Sequence, residues 1–284
     1  GGSRTTWGCH ESYLHRAQPE VLPKQIIPHL VSRVIYTGAG GFNPFSAGLE
    51  FTLAPRAVYI TEVVSSGSTA NRGIFHTKDE SLSARGHHRL HVLCGESLCS
   101  EVATWLKIGA TALVVAMIEA GLDPGTDVEL RAPLEALRTV TADPQCQAPI
   151  GLADGRHLSA LEIQRHYLTQ VEKHLGDRFM PPWAEEACIR WREILNLLEG
   201  GPEAARAMLD WAMKKALYSD YAGRRGFDWD AFPCWNHVLT VLSTALGHAN
   251  CRDQWINAQS FLGPNSPVLE DVARLTPYLR EHGM

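Results

Sequence analysis

Short hydrophobic runs separated by glycine, proline and serine give the first third of the chain the pattern of β structure. They are rich in β-branched and aromatic residues, and they predict strands at Val31–Gly38, Leu49–Leu53, Ala57–Val64 and His88–Cys94. In the last run, the alternation of a strand places His88, Leu90 and Val92 on one face. Arg89, His91 and Leu93 then lie on the opposite face, where Arg89 and His91 form a polar pair.

From Ser97 onward the apolar residues recur with helical spacing. The predicted helices are Ser97–Ala120, Ala132–Thr141, Ser159–Leu175, Pro182–Leu198 and Pro202–Tyr221. Ser159 followed by Glu162 forms a capping box, which marks the start of the third of these helices. Strands followed by a block of helices predict an α+β fold rather than a regularly alternating α/β fold.

The composition of the chain changes near residue 229, where tryptophan and cysteine become more frequent among scattered proline and glycine. We therefore predict a large domain over residues 1–228 and a small C-terminal subdomain over residues 229–284. A chain of 284 residues is long enough for this arrangement.

Overall charge and hydropathy narrow the class of protein. The net charge of −5 is mild and spread along the chain, which disfavours a broad nucleic-acid or membrane surface. The longest apolar run, around Ala110–Ile118, is shorter than a membrane span and predicts a core helix. The 7 cysteines are odd in number and lack a CxxC pair. Reduced thiols in a cytoplasmic protein are expected.

The polar face of the predicted strand His88–Cys94 is one candidate site. An arginine and an imidazole together, at Arg89 and His91, suit a nucleotide phosphate and its metal ion. A solvated outer face of an antiparallel sheet explains the same pattern. Zinc binding by His87 and His91 is disfavoured, because a strand separates these two side chains by about 13 Å.

Other candidate residues lie in separate segments. The segment WGCHESYL carries His10 and Glu11, a pair that offers one metal ligand and one acidic group, or a packing histidine. Two cations, Arg56 in LAPRAVYI and Lys78 in HTKDES, lie at the edges of predicted strands. Most such cations are only solvated, so these residues form a site only if they converge on His91.

These segments resemble the Pup ligase family, which includes the ligase that attaches the small protein Pup to lysines and the Pup deamidase/depupylase. WGCHESYL resembles the family's YGCHENYL, and LAPRAVYITEVVSSGST resembles a family strand and the loop after it. The stretch Thr77–Val114 resembles a further family motif, as do DGRHLSALEIQRHYL and MLDWAMKKALYSDY. The resemblance extends to about Asp230.

The resemblance implies a glutamine-synthetase-like carboxylate–amine ligase fold, in which a curved antiparallel sheet covered by helices cradles Mg²⁺ and ATP. It implies that His10 and His91 are metal ligands. Arg56 and Lys78 would neutralise charge on the transferred phosphoryl group, although Lys78 stands where the family has arginine. Arg89 and His91 would lie at the bound nucleotide.

The implied activity is phosphorylation of the C-terminal glutamate of a Pup-like protein, followed by an isopeptide bond to a lysine of a target protein. The alternatives are a depupylase that hydrolyses this bond and a non-catalytic protein that binds Pup or a proteasome component. The family's N-terminal strand, with its alternating glutamates, is not found in the sequence. We therefore expect a fragment, a degenerate member, or a site completed by a second chain or a missing segment.

Overall fold

The computed structural model describes residues 8–43, 45–46, 50–66, 71–76 and 86–225. Its strands are β1 (Glu11–His15), β2 (Gly41–Phe42), β3 (Phe51–Thr52), β4 (Glu62–Ser65), β5 (Gly73–His76), β6 (His88–Val92), β7 (Ile150–Gly151) and β8 (His157–Leu158). The α-helices are α1 (Leu22–Ser32), α2 (Val34–Thr37), α3 (Glu101–Glu119), α4 (Pro133–Ala142), α5 (Ala160–Lys173), α6 (Ala184–Glu199) and α7 (Asp210–Arg225). Pro55–Tyr59 and Thr126–Val128 form 3₁₀ helices.

The main sheet has four strands in the order β1-β6-β5-β4. Helices cover one face of it, so the predicted α+β fold is confirmed. Strand β6 is antiparallel to β1 and to β5, but β4 and β5 are parallel, so the sheet is mixed rather than wholly antiparallel. The backbone N–H groups of Thr61 and Glu62, at the start of β4, both donate to the Arg72 carbonyl, just before β5. Strand β5 therefore begins beside the start of β4 and runs parallel to it.

Strand β1 shows why one face of the sheet is buried. Glu11, Tyr13 and His15 are buried, whereas Ser12 and Leu14 are exposed. The buried side packs against α3, a core helix as predicted. Among the described residues, α3 is the helix long and apolar enough to cross a membrane, but 61% of its most apolar stretch is buried inside the protein. Its N-cap is Ser100, whose Oγ accepts the Ala103 N–H at 3.1 Å.

One predicted strand is wrong. Val31–Gly38 is helical in the structure, forming the end of α1 and all of α2. Val31, Val34, Ile35 and Tyr36 are at most 4% exposed. Because a run that is apolar on every side fits a fully buried helix as well as a buried strand, periodicity alone does not separate the two.

The other predictions differ from the structure mainly at their boundaries. Ala57–Val64 is divided between the 3₁₀ helix Pro55–Tyr59 and β4. Helix α5 begins with the predicted capping box, in which both reciprocal bonds between Ser159 and Glu162 are formed. The last predicted helix starts at Asp210 instead of Pro202, because residues 202–208 form successive turns. The proposed subdomain 229–284 and Lys78 lie outside the described residues.

Candidate functional site

Two of the predicted site residues meet on the face of the sheet opposite the described helices. His91 of β6 pairs with Ser12 of β1. Because side chains alternate along a strand, His10, two residues before Ser12, points to the same face as His91. The Nε2 of His91 lies 3.2 Å from the Nδ1 of His10, and the two rings meet edge to face. The structure thus brings together two imidazoles from distant parts of the chain.

Arg89 lies beside this pair on the same face. Its Nε and Nη2 donate to the Ser12 Oγ at 3.1 and 2.9 Å. The predicted polar face of β6 is therefore formed as expected, with Leu90 and Val92 buried on the other side. Arg89 and His91 stand two residues apart along one strand, where both are partly exposed.

Arg56, whose charge acts on His10, is buried and only 7% exposed. Its Nη2 donates to the Leu93 carbonyl at 3.3 Å, but its buried Nε has no hydrogen-bond partner in the described part of the chain. The guanidinium lies against Gly8, where an added Cβ would come within 2.2 Å of the Arg56 Cζ. Burial lowers the pKa of Arg56, although a guanidinium remains charged in proteins. Arg56 is therefore a fixed, buried cation with one guanidinium N–H that no described residue accepts.

Arg72 is a further charged residue near His10, and sequence patterns did not indicate it. Burial lowers the pKa of His10, and the charges of Arg56, Arg72 and Arg89 lower it further. His10 is therefore neutral near pH 7, the form in which imidazole binds a metal ion. Arg72 immediately precedes β5, and its role is visible only once β5 is paired with β6.

Glu11 does not belong to the site, although it follows His10 directly. The alternation of β1 turns its carboxylate inward, where Arg33 donates to both oxygens at 2.8 and 2.7 Å. The Tyr13 hydroxyl also donates to it at 2.6 Å. Burial alone would raise the pKa of Glu11, but the Arg33 charge and these bonds hold it below its usual value. The expected acidic partner of His10 is instead half of a buried ion pair.

A second buried carboxylate, that of Glu96, is hydrogen-bonded to the backbone of Arg56. Its Oε1 accepts the Arg56 backbone N–H at 2.9 Å, and its Oε2 accepts the Ala39 N–H at 2.6 Å. Burial raises the pKa of Glu96 to about 7, and the bonds from these two N–H groups only partly oppose the shift. Lys214 and Arg56 lower the pKa to a smaller extent.

The pKa of Glu96 predicts a pH dependence of stability. Between its ordinary value of 4.5 and about 7, the folded protein keeps a proton that the unfolded chain has released. The free energy of unfolding should therefore fall by about 3 kcal/mol from this group as pH rises across that range. Urea unfolding from pH 4.5 to 8 should show a steeper decline in the native protein than in Glu96→Gln. Parallel pH profiles would contradict the prediction.

The His10–His91 pair fits part of a metal site. Two ligands at right angles, each about 2.1 Å from an ion, are about 3 Å apart, close to the observed separation of the two nitrogens. Among the described residues, however, no group of three histidine, cysteine or acidic side chains is placed to hold a metal ion. Mg²⁺ prefers oxygen ligands, so the two imidazoles alone do not make a magnesium site.

Comparison with known proteins gives a consistent family. The family model described as Pup-ligase protein matches residues 2–238. The Pup deamidase/depupylase of Mycolicibacterium smegmatis is 37% identical over 235 residues, covering 81% of this chain and 47% of that protein. The Pup–protein ligase 2 of Rhodococcus erythropolis is 37% identical over 227 residues, covering 78% and 51%.

Solved structures agree with this result. The Pup ligase PafA in complex with ADP matches with a TM-score of 0.68 at 28% identity, covering 79% of this chain and 51% of that one. The complex between Pup and PafA matches with a TM-score of 0.67 at 29% identity, covering 78% and 47%. The chain spans about half the length of these relatives. From the match to most of its residues, we conclude that the chain belongs to the Pup-ligase family.

Proposed function

We propose that this chain carries part of the nucleotide site of an ATP-dependent carboxylate–amine ligase that attaches a Pup-like protein to lysine side chains. The observation that carries the proposal is Arg56, a buried cation whose Nε has no partner among the described residues and whose charge acts on His10, which faces His91. Such a constellation suits an anionic phosphate better than a packed core, where an unpaired donor is costly. The related PafA was solved with ADP, which supports a nucleotide as the ligand.

The arginines near His10 have a separate role from the two histidines in the proposed site. Arg56, Arg72 and Arg89 surround His10 closely enough to lower its pKa, so they form one field of positive charge. That field would bind the polyphosphate and offset the charge on the transferred phosphoryl group. We assign Lys78 the same role as a point charge, from the family resemblance.

We propose that His10 and His91 hold a divalent ion, with Mg²⁺ as the physiological candidate. When bound, the ion would neutralise charge on the phosphate oxygens. Its oxygen ligands would come from the nucleotide, from water, or from a second chain or a further segment of polypeptide. Both imidazoles are oriented by the pairing of β1 with β6, which keeps their nitrogens adjacent.

The reaction has two steps. The γ-phosphoryl group of ATP passes to the side-chain carboxylate of the C-terminal glutamate of the Pup-like protein, giving an acyl phosphate and ADP. The ε-amine of a target lysine then attacks the acyl carbon, phosphate leaves with the C–O bond electrons, and the amine loses a proton as the isopeptide bond forms. PafA has been solved in complex with Pup, which supports this partner.

The second candidate is the reverse chemistry, hydrolysis of the isopeptide bond or of a C-terminal amide. It is favoured by the identity of 37% to a depupylase, equal to the identity to a ligase. In this case water attacks the amide carbon, the C–N bond breaks, and the lysine amine (or ammonia from a C-terminal amide) leaves with a proton from the water. Incubation with Pup ending in glutamate, ATP, Mg²⁺ and a lysine-bearing protein distinguishes the two, because only a ligase forms conjugates. A preformed conjugate is cleaved only by a depupylase, and Pup binding without either reaction indicates a non-catalytic member.

Titration with ADP and Mg²⁺ by calorimetry tests the site itself. Replacing His91 with alanine should weaken the affinity at least tenfold, since losing support for a bound metal costs about 10–100-fold. The matched control is His157→Ala, because His157 is exposed on β8, far along the chain from the site strands. The control should bind like the native chain. Equal affinity in His91→Ala and the native chain would contradict the proposal.

A further inference from the structure

Glu96 holds the backbone of Arg56 and not its side chain. Both carboxylate oxygens accept backbone N–H groups, one from Arg56 and one from Ala39. The side chain is 2% exposed, so water does not compete for these bonds. A carboxylate with both oxygens used in this way fixes the distance between the two backbone segments.

The segment that Glu96 holds is the start of the 3₁₀ helix Pro55–Tyr59. This helix has no side-chain cap from its own N-cap residue, Ala54. The first N–H groups of a helix lack partners within it, and Glu96 supplies one from a distant part of the chain. Glu96 therefore takes the place of a local cap and sets where Arg56 leaves the backbone.

The backbone of Glu96 also supports the surface on which the guanidinium lies. Glu96 forms a β-bridge with Gly8, the residue that lies against the Arg56 guanidinium. Its carbonyl accepts the Lys107 Nζ at 3.0 Å, which ties this bridge to helix α3. One residue thus locates both the backbone and the guanidinium of Arg56.

We propose that Glu96 is a positioning residue for Arg56, fixing the guanidinium at the phosphate site through the Arg56 N–H and the Gly8 bridge. This inference rests on the proposed role of Arg56 in binding phosphate. Glu96 itself touches neither the nucleotide nor the reacting atoms.

Ionisation decides how firmly Glu96 holds the two segments. A carboxylate accepts both N–H groups, whereas a protonated carboxyl gives up part of its accepting capacity. Burial raises the pKa of Glu96 to about 7, and the charges of Lys214 in α7 and Arg56 in the 3₁₀ helix oppose the shift only in part. Lys107 of α3 is also near, with its Nζ on the Glu96 carbonyl. The hold on Arg56 therefore strengthens as pH rises through about 7 and weakens as pH falls through it.

The test combines Glu96→Gln with two readouts on the whole chain. Glutamine keeps the shape but has one acceptor oxygen for two donors. The amide resonances of Arg56 and Ala39 should titrate together near pH 7 in the native chain and stay pH-independent in Glu96→Gln. The affinity for ADP with Mg²⁺ at pH 8 should fall about tenfold in the variant, as small misplacements of binding groups cost up to about 100-fold.

The matched control is Asp210→Asn, because Asp210 is also buried and its oxygens also accept two backbone N–H groups, from Cys99 and Ser100. It should lower stability without changing ADP affinity or the Arg56 amide. In an Arg56→Met background, Glu96→Gln should cause no further loss of affinity. Glu96→Asp, which keeps two acceptors, should recover part of the affinity and retain the titration; it carries the test should glutamine prevent folding.

The outcomes separate the two proposals. A native chain that fails to bind ADP overturns the proposed function, while the amide titration still reports on the contact of Glu96 with Arg56. Normal ADP binding in Glu96→Gln and in Glu96→Asp overturns the positioning role alone. Additive losses in the Arg56→Met background overturn it as well, because Glu96 would then act by another route.

Discussion

Replacing Glu11 with glutamine should lower the free energy of unfolding by about 3–5 kcal/mol, the cost of leaving one partner of a buried ion pair uncompensated. Arg33 is 1% exposed, and its two bonds to Glu11 run from helix to sheet across the core. Its bonds to the Lys107 carbonyl and the Thr111 hydroxyl do not neutralise its charge. Urea unfolding monitored by circular dichroism measures the loss.

The exposed ion pair between Arg190 and Glu193 provides the control. Glu193→Gln should change stability by less than about 1 kcal/mol, because solvent already screens that pair. Replacing both buried partners together, Glu11→Leu with Arg33→Met, should restore much of the stability, since no charge is left in the core. A loss below 1 kcal/mol in Glu11→Gln would contradict the ion pair as described.

Arg56→Met should reduce ATP turnover by about 100–1000-fold, the usual effect of removing one group that stabilises charge in a transition state. Stability should change little, because the Arg56 side chain has few hydrogen bonds in the described part of the chain and a buried donor without a partner. Release of ADP measures turnover, and thermal unfolding measures stability. Unchanged turnover would remove Arg56 from the proposed mechanism.

Gly8→Ala should also disturb the Arg56 guanidinium, by displacing it rather than removing it. The new Cβ would occupy the position of the guanidinium and push it away from its place beside the sheet. Turnover should therefore fall about 100-fold with Arg56 still present, as expected for a misplaced catalytic group. The control is Gly109→Ala in α3, where the nearest atom to an added Cβ is 3.7 Å away. Alanine also favours a helix, so this control should keep full turnover and lose no stability.

The sequence allowed the fold class and the placement of Arg89 and His91 on one strand face to be predicted, because local patterns decide those features. Alternation along β6 identified the polar face with Arg89 and His91, and a capping box located the start of α5. The helical identity of Val31–Gly38 was not predictable in this way. Its residues are buried on all sides by α3, α4 and neighbouring elements, and burial of that kind removes the periodicity that distinguishes helix from strand.

The remaining site features depend on distant contacts. Arg72 joins the cation cluster only through the pairing of β5 with β6. Glu96 follows a glycine and precedes a serine, a context typical of an exposed turn, and it is buried because Arg56, Ala39 and Lys107 converge on it. Glu11 follows His10 in sequence but is bonded to Arg33 in the interior, because adjacent residues of a strand point to opposite sides.

His10 and Glu11 are adjacent in sequence, yet His10 lies on the exposed side of β1 and Glu11 in the interior. A slip of this strand by one residue along β6 would exchange the two faces, exposing the carboxylate and burying the imidazole. The buried Glu11–Arg33 ion pair and the proposed nucleotide site therefore depend on the same register of β1 on β6. An insertion between these two residues should therefore disturb the ion pair and the proposed site together.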